Sequence, residues 1–388
     1  MKNRNYNYKM PKAWKKKKKS TFNRKSTSLM PVKKGELPGK LNQKKYKQLT
    51  GTSSTWKLPG ILFVASLSII MLIIPTLIVM PDGSKNDKQM TVNAGQEPEE
   101  TVELSAGDSP FSVEVMRASS DKVENVPLET YVSRVVASEM PSEFELEALK
   151  AQALAARTYI VDLLLNQDQE DKPAVTDTTA NQVYSNEAEL RKKWGKDYNK
   201  NMQKINKAVA STKGEILTYD NAPIFPAFFS TSNGYTENSE DYWENKLPYL
   251  RSVKSPWDKN SPKFLDQTVV SIEDAEQALG VDLGDQIQVD IARTDSNRVS
   301  KLTVAGKEFS GREIREKFKL RSSDFDIEQK NGHLIFTTKG FGHGIGMSQY
   351  GANGMAKNGK SYQDIVKYYY QGVKISEVAE TAPTLVAK

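Results

Sequence analysis

The 388-residue chain is long enough for two or three folded units, and with no Cys it excludes disulfides, zinc-thiolate sites and thiol catalysis together. Its two His, His333 and His343, are too few for a metal centre built mainly from imidazole. The net charge of +7 is unevenly placed: residues 1–57 hold 18 of the 55 Lys and Arg against one acid, Glu36, leaving 37 basic and 47 acidic residues in the rest, so the basic balance describes an arm and gives no support to a nucleic-acid partner.

Residues 1–57, with the unbroken run Lys15–Lys19 among Pro, Ser, Asn and Thr, cannot bury enough apolar surface to offset their ordering entropy and are expected to be disordered. The arm reads either as a solvated topogenic tail or as a polybasic segment held to anionic lipid headgroups. Leu58–Met80 follows without a charge. As a helix it spans roughly 35 Å, enough for a hydrocarbon core, and Pro75 is tolerable in such a span. A cleaved signal peptide is the rival reading; its apolar region is normally about 7–15 residues and ends in small residues, whereas this one ends IVMPDGSK. The basic flank places the N-terminus in the cytoplasm and everything after Pro81 outside. Residues 81–108, polar and spotted with Gly and Pro, read as a stalk; residues 109–377 as the folded extracytoplasmic domain, with a possible insertion at 262–338; residues 378–388 as a tail.

Within the folded part, FSVEVMRA alternates like a strand. NVPLETYVSRVVASEMP reads as a helix, with Pro127 at its first position, Leu128, Tyr131, Val132, Val135, Val136 and Met140 on one stripe, and Pro141 ending it. ELEALKAQALAARTYIVDLLL is a second helix, rich enough in Ala to pack closely against neighbours. QIQVDIARTDSNRVSKLTVAGKEF reads as a hairpin, GREIREKFKL as a helix and HLIFTTKG as a strand. The class is α+β: mixed helices and antiparallel strands, a core with a smaller α/β subdomain, on a single N-terminal anchor.

Glu139 falls at the end of the first helix, seven residues after Val132 and four after Val135, on the buried stripe. A carboxyl held among apolar side chains is raised in pKa, which a general acid near neutral pH requires. The competing reading is an acid at a frayed helix end, bonded to a nearby amide. Glu143, Glu145 and Glu147 answer the dipole of the next helix. Gly340–Ala352, GFGHGIGMSQYGA, surrounds His343, Ser348, Gln349 and Tyr350 with glycines that permit positive φ and close approach of another chain. FFSTSNGYTENSEDYW, residues 228–243, gathers hydroxyls, amides and aromatics suited to a sugar, or else forms a polar loop around a packed Trp243.

Three segments together resemble one family. ASEMPSEFELEALKAQALAARTY (137–159), FSTSNGYTENSEDYW and GFGHGIGMSQYGA are similar, in order, to motifs of the stage II sporulation protein D family of endospore-forming bacteria. The likeness runs over roughly residues 110–373, and the family shares its broader domain with enhancers of a cell-wall amidase. The resemblance implies a peptidoglycan lytic transglycosylase. It would cleave the β-1,4 bond between N-acetylmuramic acid and N-acetylglucosamine in peptide-stripped strands, leaving 1,6-anhydro ends, during engulfment of the forespore. It further implies Glu139 as catalytic residue, and stage II sporulation proteins P and M as partners, beside the membrane and the glycan itself. Its place would be the mother-cell side of the engulfing septum. Arg157, Ser230, Ser232, Tyr235, His343, Ser348, Gln349 and Tyr350 would bind or support glycan. No cofactor is expected. Some members carry a zinc site in a segment resembling CDTTHCQVY; here Thr176, Ala180 and Asn181 stand for its Cys, His and Cys, so no zinc is expected. Two other readings stay open: a non-catalytic, membrane-tethered recruiter of an amidase, and a hydrolase using water.

Overall fold

In a computed structural model the described residues are 102–387, apart from 106, 108, 167–174, 179, 180, 244 and 285. The expected arm, membrane span and most of the stalk lie outside them. Among the described residues no helix is long and apolar enough to cross a membrane.

Strand β1 (Ser112–Arg117) turns back antiparallel into β2 (Lys122–Pro127). Helix α1 (Leu128–Glu139) starts at once, so Pro127 closes a strand and precedes the helix instead of opening it. With no capping side chain at Pro127, the amide of Glu129 donates to Ser109 Oγ (2.9 Å). The helix ends where Pro141 forces Met140 into an extended conformation (φ −114°, ψ 147°). Helix α2 (Leu146–Leu165) is apolar nearly all round and is accordingly central. Leu149, Ala153, Ala156 and Ile160 join α1 in one cluster, while Ala148, Ala151, Leu154 and Ala155 join a second. Alanine along both faces lets the two layers approach. Each fully buried Leu or Ile contributes roughly 1.5–3 kcal/mol.

Short β3 (Val175–Thr176) lies parallel to β1. Helices α3 (Glu187–Trp194) and α4 (Tyr198–Ala210) complete the first layer; Leu190, Ile205, Ala208 and Val209 are buried in it. Strand β4 (Glu215–Tyr219) packs on α2 and pairs with β5 (Ala222–Pro223). Two-residue β6 (Phe228–Phe229) follows.

Residues 265–339 build a cluster of their own around Leu302, Phe309, Ile314, Phe318, Phe325 and Phe336. Its elements are β7 (Leu265–Ser271), α5 (Ile272–Leu279), β8 (Val289–Arg293), β9 (Val299–Val304), β10 (Lys307–Ser310), α6 (Gly311–Phe318), β11 (Phe325–Lys330) and β12 (His333–Lys339). They form two antiparallel sheets, ordered β10-β9-β8 and β11-β12-β7. Leu265 pairs with Lys339, so the segment leaves and re-enters the core at one place. The expected hairpin is a three-stranded meander, because Ala305 and Gly306 (φ 48° and 73°) make a second tight turn.

The chain then gives β13 (Met347–Ser348), parallel to β6, α7 (Gln349–Lys357), α8 (Tyr362–Tyr369) and β14 (Lys374–Glu377), antiparallel to β4. The last residues, read as a tail, pack against the rest of the fold. Helices α9 (Val378–Thr381) and α10 (Pro383–Val386) bring Val378 and Ala382 into a cluster with Val161 and Ile216. The result is a mixed α+β structure with antiparallel sheets and a minor parallel element.

Candidate active site around Glu139

Glu139 is the last residue of α1, where the buried stripe reaches the surface, and its side chain is half-buried. Oε1 accepts the amide of Val183 at 3.0 Å; no other described residue hydrogen-bonds the carboxyl. Oε2 accepts no hydrogen bond from a described residue. Burial pushes the carboxyl above its ordinary pKa, against the Val183 amide and the charge of Lys193, which pull it down. Lys193, in the last turn of α3, donates Nζ to Ala137 O (3.1 Å), and burial lowers its own pKa. The competing reading of Glu139 is thus half right: it does bond an amide, but an amide 44 residues away.

That amide is placed by hydrogen bonds around Asn181. Asn181 Oδ1 accepts from Thr176 N (3.0 Å) and Thr176 Oγ1 (2.8 Å), and Asn181 Nδ2 donates to Tyr159 Oη (3.2 Å). Tyr131 Oη donates to Gln182 Oε1 (3.2 Å), and Tyr131 stacks on Tyr184. Thr176 and Asn181 spend their polar atoms on each other and on Tyr159 and Thr178, and offer no thiolate or imidazole, so this donor set does not fit zinc. Ala180 lies outside the described residues. Among the described residues no group of three or more His, Cys, Asp and Glu could hold a metal.

On the far side of Glu139 the chain turns through Pro141 and Glu143, and the Phe144 ring meets Tyr350 edge-on at 4.9 Å. Exposed Glu143 acts electrostatically on both Lys193 and Tyr350. Tyr350 thus packs on the turn that follows Glu139. Lys263 Nζ lies 5.8 Å from the Tyr350 ring centre and 5.6 Å from that of exposed Phe341.

The remaining expected residues mostly hold the fold. Arg157, expected on glycan, is fully buried: Nε and Nη2 donate to Glu129 at 3.0 and 2.6 Å, and Nη1 to Glu215 O at 3.0 Å. It sits on α2 where that helix has no exposed face, and no ligand reaches it. Ser232 and Ser348 are also fully buried, and both hydroxyls donate to Asp258, at 2.8 and 2.6 Å. Ser255 Oγ donates to the same carboxylate. Asp258 therefore ties the 228–243 loop, its own 3₁₀ turn Pro256–Asn260 and the glycine-rich loop into one knot. Burial raises its pKa, opposed by these hydrogen bonds. Gln349 is buried, with Nε2 donating to Gln152 (3.4 Å). Ser230 uses its carbonyl, which accepts from Tyr350 N at 3.0 Å. Tyr235 is 42% exposed and its carbonyl accepts from Arg298.

His343 sits in an aromatic box of Phe229, Tyr242 and Trp243, with ring centres 5.7–5.9 Å away. Its Nδ1 accepts from Ile345 N (3.1 Å). Burial, then the nearby Arg315, pushes its pKa down to about 3. The glycines around it answer close approach. A Cβ on Gly346 (φ 76°) would lie 2.0 Å from Ala227 O, and one on Gly344 (φ 91°) 2.5 Å from the Arg298 guanidinium.

Comparison with known proteins gives this arrangement a lineage. A family model described as Stage II sporulation protein matches residues 116–219, which carry Glu139 and its supporting loop. A stage II sporulation protein D from Bacillus amyloliquefaciens is 49% identical over 342 residues, 85% of this chain and 99% of that protein. Its Bacillus subtilis (strain 168) counterpart is 48% identical over 328 residues, 81% of this chain and 96% of that protein. An amidase enhancer from the same strain is 30% identical over 301 residues, 62% of this chain and 40% of that protein. The chain belongs to the stage II sporulation protein D family.

Proposed function

We propose that this protein is a membrane-anchored peptidoglycan lytic transglycosylase, cleaving the bond between N-acetylmuramic acid and N-acetylglucosamine in peptide-stripped glycan during forespore engulfment. The observation that carries the reading is Glu139: a carboxyl of raised pKa with one oxygen held by Val183 N and the other free. The protonated Oε2 gives its proton to the glycosidic oxygen as the C1–O bond breaks. The resulting carboxylate then takes the proton of the C6 hydroxyl as that oxygen attacks C1 and closes the anhydro ring. Because the attack is intramolecular, no second carboxylate is required, unlike the paired acids of ordinary glycosidases. Residues 58–80 supply the anchor and 1–57 the cytoplasmic arm; the domain works outside, on the mother-cell side of the septum. Its partners are stage II sporulation proteins P and M, the former supplying stripped strands.

The test is mass spectrometry of products from peptide-free glycan. Release of 1,6-anhydro ends by the wild type, lost in Glu139→Gln while the fold persists, is the expected result; reducing ends indicate hydrolysis by water. A second reading, a tethered recruiter of an amidase, is favoured by the 30% identity to the amidase enhancer. It predicts no glycan cleavage and a restored amidase activity on mixing.

A further inference from the structure

Glu139 Oε1 accepts the amide of Val183, and the helix that carries Glu139 also grips the residues on both sides of that amide. Tyr131 and Arg134 lie three residues apart on α1, so their side chains are neighbours on one face. Tyr131 Oη donates to Gln182 Oε1 at 3.2 Å, and Arg134 Nη1 donates to Tyr184 Oη at 2.6 Å. The Tyr184 ring is buried: it stacks on Tyr131, with centres 5.7 Å apart and planes 13° from parallel, and the Arg117 guanidinium carbon lies 5.1 Å from its centre. Its hydroxyl is used in both senses, for it donates onward to Glu124 Oε2 at 3.3 Å. Among the described residues Tyr184 is the only hydrogen-bond partner of the Arg134 guanidinium.

We propose that Arg134 is a positioning residue for Glu139: by fixing Tyr184 it keeps the Val183 amide on Oε1 while the carboxyl gives up and regains its proton. The proposal rests on the function inferred above, since it names what steadies that same carboxyl. Glu139, Tyr131 and Arg134 belong to one helix, whereas Gln182, Val183 and Tyr184 are consecutive in an irregular loop. A loop amide held by Glu139 alone would swing away whenever the carboxyl is protonated, because a neutral acid attracts it less than a carboxylate does. With both neighbours tied to the helix that bears the acid, the amide moves with Glu139 and is in place when the charge returns. The charged and titratable groups that act on the carboxyl are Lys193 on α3 and Tyr131 on α1 itself. Arg134 is not one of them, so its influence runs through Tyr184 and not through its own charge.

The experiment uses the full chain in detergent and reads Glu139 directly. Protein labelled with 13C at the glutamate side-chain carboxyls is titrated by NMR, the Glu139 signal being the one absent from Glu139→Gln. Exchange of the Val183 amide is followed in parallel by mass spectrometry of peptides that contain it. Arg134→Met and Tyr184→Phe are each expected to move the Glu139 midpoint up by about 0.5–1 pH unit, because the amide favours the charged form, and to speed Val183 exchange about tenfold. The two together should do no more than either alone, since both cut one link. Tyr184→Phe keeps the ring stack and the Arg134 charge, so a shift in Arg134→Met that it does not share is a charge effect and overturns the proposal. An unmoved midpoint with unmoved exchange overturns it equally, and if Arg134→Met fails to fold, Tyr184→Phe decides alone. The enzyme reading fails separately: without release of anhydro ends at any pH, titration and exchange still decide the role of Arg134. With release, the alkaline limb of the rate should move up with the midpoint, because the protonated acid persists to higher pH.

Discussion

Replacing Arg157 by Leu separates a scaffold role from a ligand role. The guanidinium is fully buried and donates at 3.0 and 2.6 Å to Glu129, at 3.0 Å to Glu215 O and at 3.4 Å to Val209 O. Among the described residues, its removal leaves the equally buried Glu129 carboxyl with only the Gly214 amide, at 3.3 Å. Breaking a buried ion pair from one side costs about 3–5 kcal/mol, a large share of the ~5–15 kcal/mol that holds a typical protein folded. For a unit spanning Glu100–Lys388, the unfolding entropy is about 0.6 kcal/mol per kelvin, so the loss lowers Tm by about 7 °C. Removing both charges together, Glu129→Leu with Arg157→Leu, should recover most of that loss, because no buried charge is left alone. The assay is thermal unfolding of the four proteins of this cycle, with glycan affinity measured well below every Tm. An unchanged Tm accompanied by lost glycan affinity in Arg157→Leu would refute the assignment and return Arg157 to the binding surface.

The folded-state pKa of Glu139 is raised, so the native protein holds that proton more tightly than the unfolded chain. The resulting stabilisation is present below the unfolded pKa and lost as pH rises through the folded one; Glu139→Gln should therefore be at least as stable as wild type at pH 7, and urea titrations at pH 4 and 7 should show its smaller pH dependence. Asp258→Ala leaves the Ser232 and Ser348 hydroxyls only a carbonyl at 3.4 Å each to donate to, while Ser255 keeps Tyr369 Oη; at about 1–3 kcal/mol for each poorly satisfied group, amide exchange in the 228–243 and 340–352 loops should accelerate, and unchanged protection would contradict the knot. Gly344→Ala drives a Cβ to 2.5 Å from Arg298 and should cost clearly more than Gly306→Ala, which meets nothing within 4 Å and bears only the left-handed backbone penalty of about 1–2 kcal/mol; equal Tm values for the two would refute the close-approach argument.

Local pattern carried much of the fold. The stripe from Leu128 to Met140, the stop at Pro141 and the Ala-rich helix after it are properties of contiguous residues, and the structure has both helices. Glu139 was legible for the same reason, since four- and seven-residue spacing from Val135 and Val132 suffices to put it on the buried stripe. What pattern cannot carry is a partner distant in sequence. Arg157 reads as an available cation until Glu129, 28 residues earlier, is brought against it. Ser232 and Ser348 look like free hydroxyls in loops suited to sugar until Asp258 is placed between them, 26 residues from one and 90 from the other. Lys193 and Lys263 carry no local signal at all; each is one lysine among many, distinguished only by the carboxyl or ring it faces. The glycines were informative in kind, marking close approach, but the approaching groups, Ala227 and Arg298, are visible only in three dimensions.

On the proposed mechanism, the same division lets one carboxyl serve as both acid and base. A general acid needs its proton held near neutral pH, which burial on α1 provides; a base needs its anion tolerated in the next instant, which the Val183 amide and the charge of Lys193 provide. These influences oppose one another and come from different parts of the chain: the stripe of α1 raises the pKa, while the loop around Asn181 and the end of α3 restrain the rise. A Glu buried without them would hold its proton too tightly to act as the base, and one on an open helix end would lose it too early. The half-buried position at the helix terminus is the place where both conditions are met. On that mechanism the hydrogen bonds around Asn181 steady the loop whose Val183 amide holds Oε1, and Oε2 is left to carry the transferable proton.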